Sequence, residues 1–101
     1  HEVKCKLEDV VREGTRVLKP GGRFFMVHRP RRLIEIITVM KRHGLEPKRM
    51  KMVHPYADRE ANMVLIEAVR GGGPLLKMEA PVIVFDQNGE YSPEIRTTYG
   101  Y

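Results

Sequence analysis

Leu18-Lys19-Pro20-Gly21-Gly22-Arg23-Phe24-Phe25-Met26-Val27-His28-Arg29-Pro30 is the stretch whose reading decides the fold. Pro20 cannot continue a helix, and Gly21 and Gly22 supply a turn with positive φ. Upstream, the apolar residues fall at Leu7, Val10, Val11, Val17 and Leu18, a spacing that predicts one face of a helix. Glu8 and Asp9 in its first turn and Arg16 and Lys19 near its end suit the helix dipole. Gly14 is a weak point, costing about 1 kcal/mol relative to alanine. Downstream, Phe24 to Val27 are apolar without alternation, which predicts a central strand covered by helices on both faces. Arg29-Pro30 ends that strand, because proline donates no ladder hydrogen bond.

Beyond the strand, Arg31 to His43 predicts a second helix, with a broad apolar face from Leu33, Ile34, Ile36, Ile37, Val39 and Met40 and a cap at Gly44. Leu45 to His54 alternates and reads as a half-exposed strand. His54 to Ala61 is a loop, and Asn62 to Arg70 reads as a buried strand. Gly71-Gly72-Gly73-Pro74 is a hinge that divides the chain into a body, 1–70, and a tail, 71–101. In the tail, Leu75 to Asp86 reads as extended, Asn88-Gly89 as a turn and Ser92-Pro93-Glu94 as the cap of a short terminal helix. The order helix, strand, helix, strand, strand predicts an α/β half-sheet. The strand-helix-strand unit implies parallel pairing, and the short loop before Met63 makes the last pair antiparallel.

Charge is unevenly distributed. Residues 1–74 hold 16 Lys and Arg against 9 Asp and Glu, whereas 75–101 hold 2 against 4. A basic body of this kind suits a polyanionic partner such as RNA or DNA. The 42% apolar and 31% charged composition is that of a globular chain, not a disordered one. One cysteine, Cys5, excludes an internal disulfide and a cysteine metal site, and is consistent with a reducing cytoplasm. No apolar run reaches the roughly 18 residues of a membrane span. The absence of an initiator methionine suggests a piece of something longer.

Leu18-Lys19-Pro20-Gly21-Gly22 ahead of a buried strand resembles the segment joining the fourth helix to the fifth strand of class I S-adenosylmethionine-dependent methyltransferases. The closing antiparallel hairpin is a second mark of that family. More specifically, Leu7-Glu8-Asp9-Val10, Met26-Val27-His28-Arg29-Pro30, Leu45-Glu46-Pro47-Lys48-Arg49-Met50, Val53-His54-Pro55 and Glu60-Ala61-Asn62-Met63-Val64-Leu65-Ile66-Glu67-Ala68 resemble the bacterial tRNA(Val) adenine-N6-methyltransferases. The resemblance implies the C-terminal half of a Rossmann-like methyltransferase sheet with an extended, short-helix tail. It also implies S-adenosylmethionine as cofactor and tRNA as substrate of the whole enzyme, in the cytoplasm. The family's glycine-rich cofactor loop, the acidic end of its second strand and its Asn-Pro-Pro-Tyr motif have no counterpart here. The 101 residues alone are therefore expected to be inactive, with no catalytic residue, no cofactor-binding residue and no metal site.

Ligands of open α/β sheets gather at the carboxyl ends of the strands. Those ends are His28-Arg29-Pro30-Arg31-Arg32 and His54-Pro55-Tyr56. Arg29, Arg31, Arg32 and Arg59 are the candidate contacts to tRNA phosphates, with His28, His54 and Tyr56 near a flipped adenine. Asp58 and Glu60 read as loop carboxylates. A non-catalytic basic module binding nucleic acid or a protein is the alternative. In the family's topology the strand at 24–27 would have the closing strand, Asn62 to Arg70, as one neighbour and would have lost its fourth-strand neighbour, leaving an apolar edge prone to self-association.

Overall fold

The computed structural model describes residues 6–99, and the side chains of residues 98 and 99 are left aside. Cys5 therefore lies outside the described residues. In chain order the elements are α1 (Leu7–Arg16), β1 (Arg23–His28), a 3-10 turn (Pro30–Arg32), α2 (Leu33–Arg42), β2 (Leu45–His54), β3 (Met63–Arg70), β4 (Lys77–Met78), β5 (Val82–Ile83) and α3 (Pro93–Tyr99). The α/β half-sheet is as expected, with β3 antiparallel to its neighbours.

The turn before β1 follows from its residues. Pro20 and Gly21 occupy the two central positions of a type II turn, with Gly21 at φ 85° and the Gly22 amide donating to the Lys19 carbonyl at 2.8 Å. A Cβ on Gly22 would lie 2.9 Å from that carbonyl oxygen. Only Gly21 needs positive φ; Gly22 is needed for space. The turn is sewn to the end of β3. Gly21 donates to the Arg70 carbonyl at 2.8 Å, the Arg70 amide donates to Gly22 at 2.9 Å, and the Arg70 guanidinium reaches the Leu18 carbonyl.

Sheet order corrects two expectations drawn from the strand-helix-strand pattern and the apolar run, and agrees with the family's topology, in which the closing strand neighbours the strand at 24–27. It runs β1-β3-β2-β4, with β5 also on the outer side of β2. Although β1 and β2 run in the same direction, β3 lies between them, so the two strands joined by α2 do not pair. The closing strand is inserted because its short connection from β2 leaves an antiparallel neighbour as the accessible position. Nor is β1 a central strand with helices on both faces. It is an edge, and only one of its faces is covered.

That covered face carries the core. Leu7 and Val11 of α1, Ile36, Val39 and Met40 of α2, Met50 of β2, and Val64, Ile66 and Ala68 of β3 form one buried cluster, with Phe24 and Met26 of β1 packed against it. Burying side chains such as Ile36, Met40 and Ile66 stabilises the fold by about 1.5–3 kcal/mol each. On the other face Phe25 is 70% exposed and Val27 59%. The helix faces are narrower than their composition indicates. Val10, Val17 and Ile34 are exposed, while Thr15 is buried and donates to the Val11 carbonyl at 2.6 Å.

A bulge separates Pro47 and Arg49, where the extra residue is Lys48. Its ammonium donates to the carbonyls of Gly73 and Pro74 at 2.9 and 2.8 Å, tying down the glycine link. The tail then runs along β2, with β4 and β5 pairing parallel to it. The Asp86–Gly89 turn forms, with Gly89 at φ 81°, and Phe85 bridges to Tyr91. Ser92 caps α3, its Oγ accepting from the Ile95 amide at 3.3 Å.

Candidate functional site at the strand ends

The parallel run of β1 and β2 brings their carboxyl ends to one side of the sheet. His28 pairs with Val64, and Val64 with Met52, so the start of β3 fits between the two ends. An open groove of about 1050 Å³ lies there, lined by residues 27–31 from β1 and its exit and by residues 60–63 leading into β3.

His28 heads the groove. Its Nδ1 accepts from the Arg29 amide at 2.8 Å, so that nitrogen carries no proton and a neutral ring has its N–H on Nε2. Arg29 and Arg31 line the groove with it. Among the described residues these are the two arginines whose guanidiniums have neither a carboxylate nor a carbonyl partner. Arg12, Arg16, Arg23, Arg32, Arg42, Arg49, Arg59 and Arg96 each stand within 4.0 Å of a carboxylate, and Arg70 holds a carbonyl.

Arg32 is occupied. Its Nε and Nη2 donate to the two carboxylate oxygens of Glu35 at 3.0 and 2.7 Å, and this guanidinium holds the Glu35 carboxyl below the usual range. Glu35 in the first turn of α2 thereby offsets a cation placed at the unfavourable end of the helix dipole.

The remaining candidates stand on the neighbouring loop. His54 Nδ1 donates to the Arg59 carbonyl at 2.7 Å, bracing the loop from within. Arg59 itself points into solvent, with Asp58 4.0 Å away. Tyr56 packs on Phe85 at 5.5 Å between ring centroids, and Phe85 stacks on Tyr91 at 5.6 Å. Tyr56 and Arg59 line a second cleft, about 780 Å³, against the tail. The seven candidates are thus split. His28, Arg29 and Arg31 share one groove, Tyr56 and Arg59 the other, and Arg32 and His54 are engaged in bracing their own elements.

Glu60, read from sequence only as a loop carboxylate, lines the groove, and so does Asn62, which was given no role. The available signal was position alone: they precede the strand that pairs with β1. A charged row on the uncovered sheet face was also hidden. Glu67, 8% exposed, lies between Arg23 and Arg49 at 3.2 Å each, and Arg49 continues to Glu79 at 2.6 Å. Among the described residues no group of three His, Cys, Asp or Glu is disposed to hold a metal, and no helix is long and apolar enough to cross a membrane.

No protein-family model matches the chain, and no curated protein matches it. A solved structure does: a predicted O-methyltransferase from Agrobacterium tumefaciens, with a TM-score of 0.82 at 22% sequence identity. The match covers 93% of this chain and 45% of that one, so the chain spans less than half the length of the structure it matches. At that identity the likeness speaks for the fold. The half-sheet, its two helices on one face and its antiparallel closing strand are the fold of part of a Rossmann-like methyltransferase.

Proposed function

We propose that this chain is half of an S-adenosylmethionine-dependent methyltransferase acting on RNA, and that its groove at the strand ends takes RNA phosphates. The observation that carries this reading is the pair Arg29 and Arg31. The other described arginines each have a carboxylate or carbonyl within 4.0 Å; these two have neither and line one groove. Free guanidiniums bind phosphate without first breaking an ion pair. His28 offers an Nε2–H donor beside them, suited to a base edge or a ribose oxygen. Arg59 on the adjoining loop extends the basic surface.

The substrate implied by the sequence resemblance is an adenine of tRNA, methylated at N6 in the cytoplasm. The chain's own share of that reaction is binding and orientation. Without a glycine-rich cofactor loop or a motif holding the target amine, it is expected to be inactive alone. The solved relative is described as a predicted O-methyltransferase. An oxygen acceptor is therefore the competing chemistry, and the basic groove favours a polyanionic substrate over a small one.

Affinity for a structured tRNA, measured at several salt concentrations, tests the reading. Replacing Arg29 and Arg31 by alanine should weaken binding and make the salt dependence shallower by about 1.5 in the log–log slope. The same charge removed from α1, as Arg12→Ala with Arg16→Ala, should change the slope far less. Equal effects of the two double variants would contradict the proposal.

A further inference from the structure

We propose that the cleft between the 55–59 loop and the tail stacks an unpaired RNA base carrying an exocyclic amine, a site that rests on the RNA reading above but uses neither Arg29 nor Arg31.

Both walls of this cleft are fixed by the backbone. The Val84 amide donates to the His54 carbonyl and the Phe85 amide to the Pro55 carbonyl, each at 2.9 Å, which laces the tail to the end of β2. On the loop side, His54 Nδ1 holds the Arg59 carbonyl at 2.7 Å. On the tail side, the Asp86 amide donates to the Glu90 carbonyl at 2.7 Å and the Gly89 amide to the Asp86 carbonyl at 3.0 Å. A frame set in advance lowers the ordering cost of binding. The volume, about 780 Å³, is that of a small-ligand cleft. Its walls come from residues 56–59 and 83–92. Strands β3 and β2 separate it from β1, the edge at which the resemblance places a preceding strand.

The lining suits a base better than a phosphate. Tyr56 and Phe85 both face the cleft, half-buried, with ring centroids 5.5 Å apart. Phe85 is backed by the stacked ring of Tyr91 at 5.6 Å. Braced aromatic faces of this kind take unstacked bases. Among the described residues the cleft is lined by two carboxylates, Asp58 and Asp86, against one cation, Arg59, a balance that disfavours phosphate.

Asp86 supplies the selection. Its Oδ1 accepts from the Asn88 and Glu90 amides at 2.9 and 3.0 Å, and its Oδ2 has no partner among the described residues. A carboxylate held in this way only accepts. It suits the exocyclic amine of adenine, cytosine or guanine and repels O4 of uracil. Continuity puts the base on the strand whose phosphates lie in the groove. Arg59 lines the cleft and Glu60, the next residue, lines the groove, so a single strand leaving one meets the other.

Fluorescence anisotropy with short labelled oligoadenylate and oligouridylate, at several salt concentrations, tests this. The parent should bind oligoadenylate several-fold more tightly. Tyr56→Leu keeps an apolar side chain against Phe85 but removes an aromatic face. It should weaken oligoadenylate binding by about tenfold at every salt concentration, with the log–log slope unchanged. Asp86→Asn keeps an oxygen for the turn and replaces Oδ2 by an amide donor, so it should move the preference toward oligouridylate. Far-UV circular dichroism checks that each variant is folded, and Phe85→Leu takes the place of Tyr56→Leu if the loop gives way. A Tyr56→Leu protein that binds as tightly as the parent, while the Arg29 and Arg31 variant still has its shallower slope, would overturn the stacking site and leave the groove. An unchanged slope in the arginine variant beside a weakened Tyr56→Leu protein would overturn the groove and support the cleft. Equal binding of the two oligonucleotides by the parent, or binding of neither, would overturn the proposal.

Discussion

Gly14 sits inside α1, where glycine ordinarily costs about 1 kcal/mol relative to alanine, so Gly14→Ala on a free helix should stabilise by that amount. The structure predicts the opposite. A Cβ built at Gly14 would lie 2.1 Å from Cε2 of Phe24, 2.8 Å from Cδ2 and 3.2 Å from Cζ. Phe24 belongs to β1 and packs against the core, so its ring has little room to retreat. Turning it off its rotamer costs about 0.5–1.5 kcal/mol, and lifting the helix away opens the core, with overpacking as a whole costing about 1–3 kcal/mol. After the propensity gain of about 1 kcal/mol, the net loss is up to about 2 kcal/mol. In a chain of this size that lowers the melting temperature by up to about 15 °C. Urea unfolding followed by circular dichroism reads the change directly. Phe24→Leu in the Gly14→Ala background should recover much of the loss, giving a coupling of about 1 kcal/mol between sites on different elements. A Gly14→Ala protein more stable than its parent would refute the close seat of α1 on β1.

Two further outcomes follow from the same structure. Glu8, in the first turn of α1, accepts from Arg42 at 2.6 Å and is bonded to His43 at 2.8 Å, and these contacts, Arg42 first, hold its carboxyl below the usual range. A depressed folded-state value means that its contribution is present above the unfolded carboxylate range and is lost as the pH falls through the lowered value. Glu8→Gln should therefore lower stability slightly at neutral pH and flatten the acid limb of a melting-temperature profile, converging with the parent at the lowest pH. For the cofactor, isothermal calorimetry with S-adenosylmethionine should detect no appreciable binding to the chain alone. Micromolar affinity would mean that these residues hold the cofactor without the loop the resemblance assigns to it.

The turn and the elements around it were legible because their signals are local. Pro20-Gly21 demands a type II turn, Gly44 ends a helix at φ 81°, and Ser92-Pro93 opens another. Sheet order was not local. The apolar run Phe24 to Val27 has the composition of a strand buried on both sides, yet Phe25 and Val27 face outward, because composition records what a strand can bury and not what is present to bury it. The resemblance, by pointing to an absent neighbour, anticipated the edge that periodicity could not. At the strand ends, the sequence located the basic residues but could not tell free arginines from engaged ones. Arg31 and Arg32 are adjacent and chemically identical, and only the reach of Glu35 separates them. Glu67 was equally opaque, since its arginine partners come from two other strands.

On the proposed reading, RNA phosphates meet this chain at the groove between the exit of β1 and the entry of β3. Amide and arginine side-chain chemical-shift mapping of the labelled chain during titration with tRNA tests it most directly. The largest shifts should fall on His28 to Arg31 and on Glu60 to Met63, with the Nε signals of Arg29 and Arg31 moving and that of Arg32 held by Glu35. Shifts centred instead on α1 or on the tail, or saturation without perturbing the groove, would contradict it.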